Sequence, residues 1–144
     1  MKLFFFMFLL FLPFLIFCQN DTSLNQVSII KVYRLPFGFI TSAQLNCNSI
    51  KSERYPHREY CTSNKKIIRQ FRSLFNDKRN LLIQTAYNSI SPLSLIELYS
   101  QDGELLGTIC WSQTRMILFN DRVYSYSKPI EKLLLSIKAI YVIK

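Results

Sequence analysis

Glycine and histidine are scarce in this chain, which holds three glycines and one histidine among its 144 residues. So few glycines exclude the glycine-rich loop that cradles phosphates, and neither GxGxxG nor GxxxxGK[ST] occurs. The GxSxG pattern of α/β-hydrolases and the HExxH pattern of zinc proteases are also absent. No motif therefore predicts a cofactor or a catalytic residue.

Acidic residues are scarce as well, with nine Asp and Glu against 18 Lys and Arg, for a net charge of +9. If Lys2 is lost with an export signal, 17 basic and nine acidic residues remain, a net charge of +8. Such a charge favours anionic partners without choosing among nucleic acid, lipid head groups, glycans and acidic proteins. The sequence shows no nucleic-acid-binding module, and export makes nucleic acid a poor candidate.

Hydrophobic residues are abundant at the start, MKLFFFMFLLFLPFLIFC. Lys2, the apolar run from Leu3 to Cys18 and the polar QNDTSLNQ that follows are typical of a secretory signal. The run is shorter than the roughly 20 residues of a transmembrane helix, and Pro13 interrupts it. We expect a signal at residues 1–18 and one domain at 19–144, placing the protein in the periplasm, in the outer envelope or outside the cell.

Cys18 leaves three fates open for the signal. Ordinary cleavage after Cys18 would release the domain, whereas LIFC acting as a lipobox would leave Cys18 acylated. Phe17 departs from the small residue that a lipobox carries before its cysteine. An uncleaved N-terminus would be a third outcome, so a membrane tether through Cys18 or through the apolar run is an open alternative.

The segment KKIIRQFRSLFNDK has the apolar period of an amphipathic helix, which Thr62, Ser63 or Asn64 could cap. Its polar side is basic and holds Lys65, Lys66, Arg69 and Arg72. One interpretation is a solvated surface that keeps the protein soluble, and the other is a binding face for an anionic partner.

The rest of the chain predicts an α+β fold, with an antiparallel sheet of about five or six strands and two helices packed on one face. VSIIKVYR indicates a first strand, residues 41–64 a long polar connection, and five short apolar runs after the basic helix a meander. Asp102-Gly103 suits a type I′ hairpin, Asn120-Asp121 a second tight turn, and Pro129 the start of a last helix. The predicted interior residues are Ile29, Ile67, Phe71, Leu74, Leu95, Ile109, Leu118, Leu133 and Ile137.

Three cysteines remain after the signal, in a compartment where disulfides can form. We favour a bond between Cys47 and Cys110, because a core strand offers a fixed partner, with Cys47 to Cys61 as the alternative. A third interpretation keeps Cys110 as a buried free thiol.

Catalytic candidates are few. His57 and Cys61 could form a base and thiolate pair, but no orienting Asn or Asp is identifiable. His57, Glu59, Cys61 and Cys47 lack the spacing of a metal site, and Glu97 and Glu104 are expected to be solvent-exposed. We therefore predict no catalytic residues, no metal and no enzymatic activity.

The order of segments in the chain is a phenylalanine-rich start ending in FCQN, the segment VSIIKVYRLPFGFITSAQLNC, the basic helix, and a hairpin strand ending in Cys before a last helix. In this layout the chain resembles short exported proteins of uncharacterised function from Bacteroidetes-type bacteria, which implies location and size but no activity. We predict a non-enzymatic envelope or secreted protein that binds a protein or an anionic envelope component through the basic helix. An inhibitor or immunity-type protein is the alternative, and a Cys/His thiol enzyme is the third hypothesis.

Overall fold

The computed structural model describes residues 24–39, 45–86, 90–112 and 114–137. The predicted signal, with Cys18, lies outside these residues. The strands are β1 (Ile29–Arg34), β2 (Arg58–Thr62), β3 (Leu81–Ile83), β4 (Pro92–Tyr99), β5 (Leu105–Ser112), β6 (Met116–Phe119) and β7 (Arg122–Tyr126). The α-helices are α1 (Lys65–Asn76) and α2 (Lys128–Ser136), and short 3-10 helices span Leu24–Gln26, Cys47–Lys51 and Lys78–Asn80.

All seven strands form one antiparallel sheet in the order β2-β1-β4-β5-β6-β7-β3. The predicted α+β class is confirmed, but the prediction of five or six strands was too low. The additional strand is β2, which pairs with β1 along its whole length and lies in the segment expected to be a polar connection. Its sequence, REYCT, has no apolar alternation because an edge strand does not need to bury a whole face.

The meander begins later than the sequence suggested. β4 to β7 pair with their neighbours in sequence order, whereas β3 pairs with β7 at the far edge of the sheet. β1 occupies the position beside β4 that β3 was expected to take. The strand predicted at NLLIQTAYN spans only three residues, Leu81–Ile83.

The type I′ geometry predicted for Asp102-Gly103 occurs instead at the other predicted tight turn, Asn120-Asp121. Asn120 and Asp121 both have positive φ, 48° and 58°, and connect β6 to β7 as a two-residue hairpin with type I′ signs. At the other turn only Gly103 has a positive φ, 84°, and its N–H donates to the carbonyl of Ser100 at 3.2 Å. The expected type I′ turn at Asp102-Gly103 is instead a longer turn that ends in a left-handed glycine.

Both helices contribute to one hydrophobic core on the same face of the sheet, here called the helix face. Ile30, Val32, Ile96 and Ile109 project from the strands into this core, whose largest fully buried side chain is Phe71 of α1. Five of the nine predicted interior residues are buried, namely Phe71, Leu95, Ile109, Leu133 and Ile137. The others, Ile29, Ile67, Leu74 and Leu118, are only half-buried.

The opposite face, here called the outer face, has a partial cover of its own. The 3-10 helix Cys47–Lys51 lies against β4 and β1 and buries Ile50 completely. Ile50 forms a second, smaller core with Leu35 and Leu95. A disulfide between Cys47 and Cys110 joins this cover to β5, and the S–S bond measures 2.04 Å. The second core anchors the chain that leads into β2.

Candidate functional site

The basic helix predicted from the sequence is α1, and Asn64 is the residue that caps it. The side-chain oxygen of Asn64 accepts from the backbone N–H groups of Lys66 at 2.9 Å and Ile67 at 3.4 Å. Burial of Ile68, Phe71 and Phe75 turns the opposite side of the helix to solvent. Lys65, Lys66 and Arg69 are exposed there, and none of them forms an ion pair within the described parts of the chain.

Arg72, the fourth predicted member of this surface, binds a backbone carbonyl of another segment. It is half-buried, and its Nε donates to the carbonyl of Val27 at 3.0 Å, with Nη2 donating to the same oxygen. This contact ties α1 to the segment that leads into β1. The basic face is therefore defined here as Lys65, Lys66 and Arg69.

Two residues of the basic face lie at the N-terminus of α1, where positive charge is unfavourable. The first turn of α1 contains no acidic residue, and Lys65 and Lys66 occupy it. The N-terminus of a helix carries the positive end of its dipole. A cation there therefore destabilises the helix, by a few tenths of a kcal/mol to about 1 kcal/mol at low salt. An anion bound at this position would interact favourably with both the lysines and the helix end.

Glu97 is the residue that sequence reasoning placed wrongly, because its side chain is only 3% exposed. It lies on the outer face, where Oε1 accepts from Nζ of Lys51 at 2.7 Å and Oε2 from the hydroxyl of Tyr99 at 2.7 Å. Burial alone would raise the pKa of Glu97, but the hydrogen bonds from Lys51 and Tyr99 and the charge of Lys51 outweigh it. The net effect lowers the pKa and keeps this carboxylate ionised.

Two tyrosines beside Glu97 are shifted in the opposite direction. Burial and the charge of Glu97 raise the pKa of Tyr33, and the hydrogen bond to Glu97 raises the pKa of Tyr99 to about 12. Nζ of Lys31 lies 4.9 Å from the centre of the Tyr99 ring. At neutral pH the cluster thus holds an ionised carboxylate and neutral phenols, which suits a structural anchor better than a general acid or base.

The structure does not bring His57 and Cys61 together. The ring nitrogens of His57 lie 3.0 Å from the carbonyl oxygen of Tyr55 and 3.3 Å from Oε1 of Glu59. Cys61 is a half-buried free thiol four residues further along, and an extended strand separates such residues by about 13 Å. This arrangement lacks the contact that a Cys/His nucleophile needs.

The disulfide Cys47–Cys110 borders a cavity of about 330 Å³ on the outer face. Pro92 and Leu118 are among its mainly apolar walls. Among the residues that the structure describes, no charged side chain lines this cavity, and these residues offer no charged group that would orient a polar substrate.

A metal centre is not apparent among the described residues, which contain no group of three or more His, Cys, Asp or Glu side chains placed to hold an ion. Of the helices in the same parts of the chain, none is long and apolar enough to cross a membrane.

Comparison with known proteins finds no match for the chain among protein-family models, curated proteins or solved structures.

Proposed function

We propose that this protein is exported to the cell envelope or beyond it and works without enzymatic activity, by binding an anionic partner through the basic face of α1. The observation that carries the proposal is the exposure of Lys65, Lys66 and Arg69 without an acidic neighbour in the first turn of the helix. The partner is an acidic protein or an anionic component of the envelope.

The energetics of the helix support a binding role for the basic face. Lysines in a first turn oppose the helix dipole, whereas acidic residues there would stabilise the same helix. Residues that break a local stability rule are often found at functional sites. Core packing leaves these three positions free to vary, because they face solvent while Ile68, Phe71 and Phe75 hold the helix in place.

The disulfide is compatible with export. Disulfides persist mainly outside the reducing cytoplasm, and Cys47–Cys110 joins two distant parts of this domain. The apolar start of the chain is the sequence feature that suggests the export route, and Cys18 would decide whether the domain is tethered or released. Intact-mass measurement of the exported protein would report signal cleavage and acylation together.

Charge reversal of the basic face tests the proposal. The variant carries Lys65→Glu, Lys66→Glu and Arg69→Glu, and a control variant carries Lys78→Glu, Arg122→Glu and Lys132→Glu at exposed positions elsewhere. Both change the net charge by the same amount. The first variant is expected to capture no partner from the native envelope. The control is expected to capture the same partners as the native protein and to release them with the same salt dependence.

An equal loss with both variants would show that only the overall charge matters. Unchanged capture with the first variant would remove the basic face as the binding surface. A single partner bound tightly in a one-to-one complex would instead favour the inhibitor or immunity-type alternative.

A further inference from the structure

Arg34 is a half-buried arginine that has no acidic partner in the described parts of the chain. It ends β1 on the helix face, where its guanidinium carbon lies 5.4 Å from the centre of the Tyr60 ring and 5.1 Å from that of Trp111. Nη2 donates to the carbonyl of Leu134 near the end of α2, at 2.9 Å. The two rings and this carbonyl hold the guanidinium in one orientation.

A second arginine stands directly opposite Arg34 in the sheet. Arg58 begins the edge strand β2, and Arg34 and Arg58 are cross-strand partners. Directly opposed residues of antiparallel strands share a face, with Cβ atoms about 4.5–5.5 Å apart. Like charges in this position destabilise a sheet, and neither arginine forms an ion pair in the portions of the chain that the structure describes.

Two buried polar atoms on the same row of the sheet also lack partners among the described residues. Ser94 of β4 pairs with Arg34 on one side and Trp111 on the other and is fully buried. Its Oγ has no hydrogen-bond partner in the parts of the chain that the structure describes. The Nε of Arg34 is also buried without a hydrogen-bond partner in these parts of the chain. Unsatisfied polar atoms are uncommon in protein interiors, and leaving one unpaired costs about 1–3 kcal/mol.

Structure alone gives Arg34 one clear role, because the Leu134 carbonyl belongs to the last turn of α2 and a cation there stabilises the helix. That role uses one of the five N–H donors of the guanidinium. It does not explain why the opposing position on β2 is a second, exposed arginine.

We propose that Arg34 and Arg58 form a binding site for an oxyanion, the phosphate, sulfate or carboxylate group of a ligand. An oxyanion that approaches over the edge strand would give the two cross-strand arginines a shared partner of opposite charge. Arginine suits this task because its planar donors match the geometry of such anions, and the fixed orientation of Arg34 reduces the entropy lost on binding. The site shares no residue with the basic face of α1, and its test does not depend on the proposed function of that face.

The chain contains a reporter for this site, since Trp111 is its only tryptophan and stacks on Arg34. Sodium phosphate is titrated at constant ionic strength against sodium chloride, with Trp111 emission and the melting temperature as two readouts. A saturable change in emission and a rise in melting temperature are expected with phosphate and not with chloride. Parallel titrations with sulfate and acetate identify which oxyanion is preferred.

Arg58→Gln is the decisive variant, and Arg122→Gln is its matched control, because both remove an exposed strand arginine and the same charge. Loss of one charge-assisted hydrogen bond is expected to weaken phosphate binding at least about tenfold in the first variant. The control, and the variant with its basic face reversed, should bind phosphate as the native protein does. Equal responses to phosphate and chloride, or equal phosphate affinity in Arg58→Gln and Arg122→Gln, would overturn the proposal.

Arg34→Lys is a second variant that keeps the charge and removes the planar group. It is expected to lose phosphate binding beyond any loss of stability, which is measured separately in chloride. If Arg34→Lys lowers stability but binds phosphate with native affinity, Arg34 has only its structural role and the proposed site is wrong.

Discussion

Nζ of Lys51 lies 2.7 Å from Oε1 of Glu97, and this ion pair spans 46 residues to fasten the 3-10 helix Cys47–Lys51 onto the sheet. Glu97 is almost fully buried, whereas the side chain of Lys51 is 46% exposed. The carboxylate is thus the member whose removal from water must be compensated. Together with the disulfide and Ile50, the pair holds the cover of the outer face.

Replacing Glu97 with Gln should therefore destabilise the domain. The substitution keeps the shape and removes the charge, which leaves Lys51 without a carboxylate partner and places an amide beside the hydroxyl of Tyr99. We expect the free energy of unfolding to fall by about 1.5–3 kcal/mol, as for other hydrogen bonds to charged groups. Urea denaturation measures it, and Glu104→Gln, at an exposed position, is the control that should leave stability unchanged.

Because the pKa of Glu97 is lowered in the folded protein, we expect the free energy of unfolding to depend on pH. The folded protein lowers the pKa of Glu97 below its value in the unfolded chain, so the unfolded state binds the proton more tightly. The stabilisation is complete above the unfolded value of about 4.3 and disappears as pH falls through the lower, folded pKa. Denaturation measured from pH 7 downward should show a smaller acid-induced loss in Glu97→Gln than in the native protein; identical profiles would contradict the prediction.

The disulfide should contribute strongly to stability. Cys47 and Cys110 are separated by 63 residues, and constraining a loop of that length in the unfolded chain is worth about 4 kcal/mol in the entropic model. The double variant Cys47→Ser, Cys110→Ser should melt at a lower temperature and lose its sensitivity to reductant. Cys61→Ser, which removes the free thiol, should melt like the native protein in both conditions. A double variant that still responds to reductant would point to a different pairing.

The sequence predicted best those elements whose signals are local. The apolar stripe and cap of α1 and the short runs of β4 to β7 follow from periodicity within about ten residues, and the structure contains them all. Within β6 the alternation could not decide the face, because MILF is apolar throughout and Ile117 and Phe119, not Leu118, face the core. The turn geometry was equally ambiguous, since Asp-Gly and Asn-Asp both tolerate positive φ.

The burial of Glu97 could not be predicted, because it depends on a cover that lies 46 residues away in sequence. An antiparallel sheet commonly leaves one face to solvent, which made exposure the reasonable expectation for Glu97. The cover exists because Cys47 bonds to β5 and Ile50 fills the second core, both of them long-range contacts. Edge strand β2 escaped detection for the related reason that its partner β1 defines it and its composition does not.

Two arginines on α1 are expected to have different roles, Arg72 in stability and Arg69 in binding. Arg72 donates from two nitrogens to the carbonyl of Val27, whereas Arg69 is exposed and has no ion pair in the described residues. Methionine keeps an apolar stem at either position and removes the donors. Arg72→Met leaves the Val27 carbonyl without these donors, so the free energy of unfolding should fall by about 1–3 kcal/mol.

Arg69→Met should stay within about 0.5 kcal/mol of the native protein, as is usual for exposed positions. Binding should respond in the reverse order, because Arg69 belongs to the basic face and Arg72 does not. Chemical denaturation and envelope capture on the same two variants separate the two roles. Equal stabilities would show that the Val27 contact contributes nothing measurable, and Arg72 would then rejoin the candidates for the binding surface.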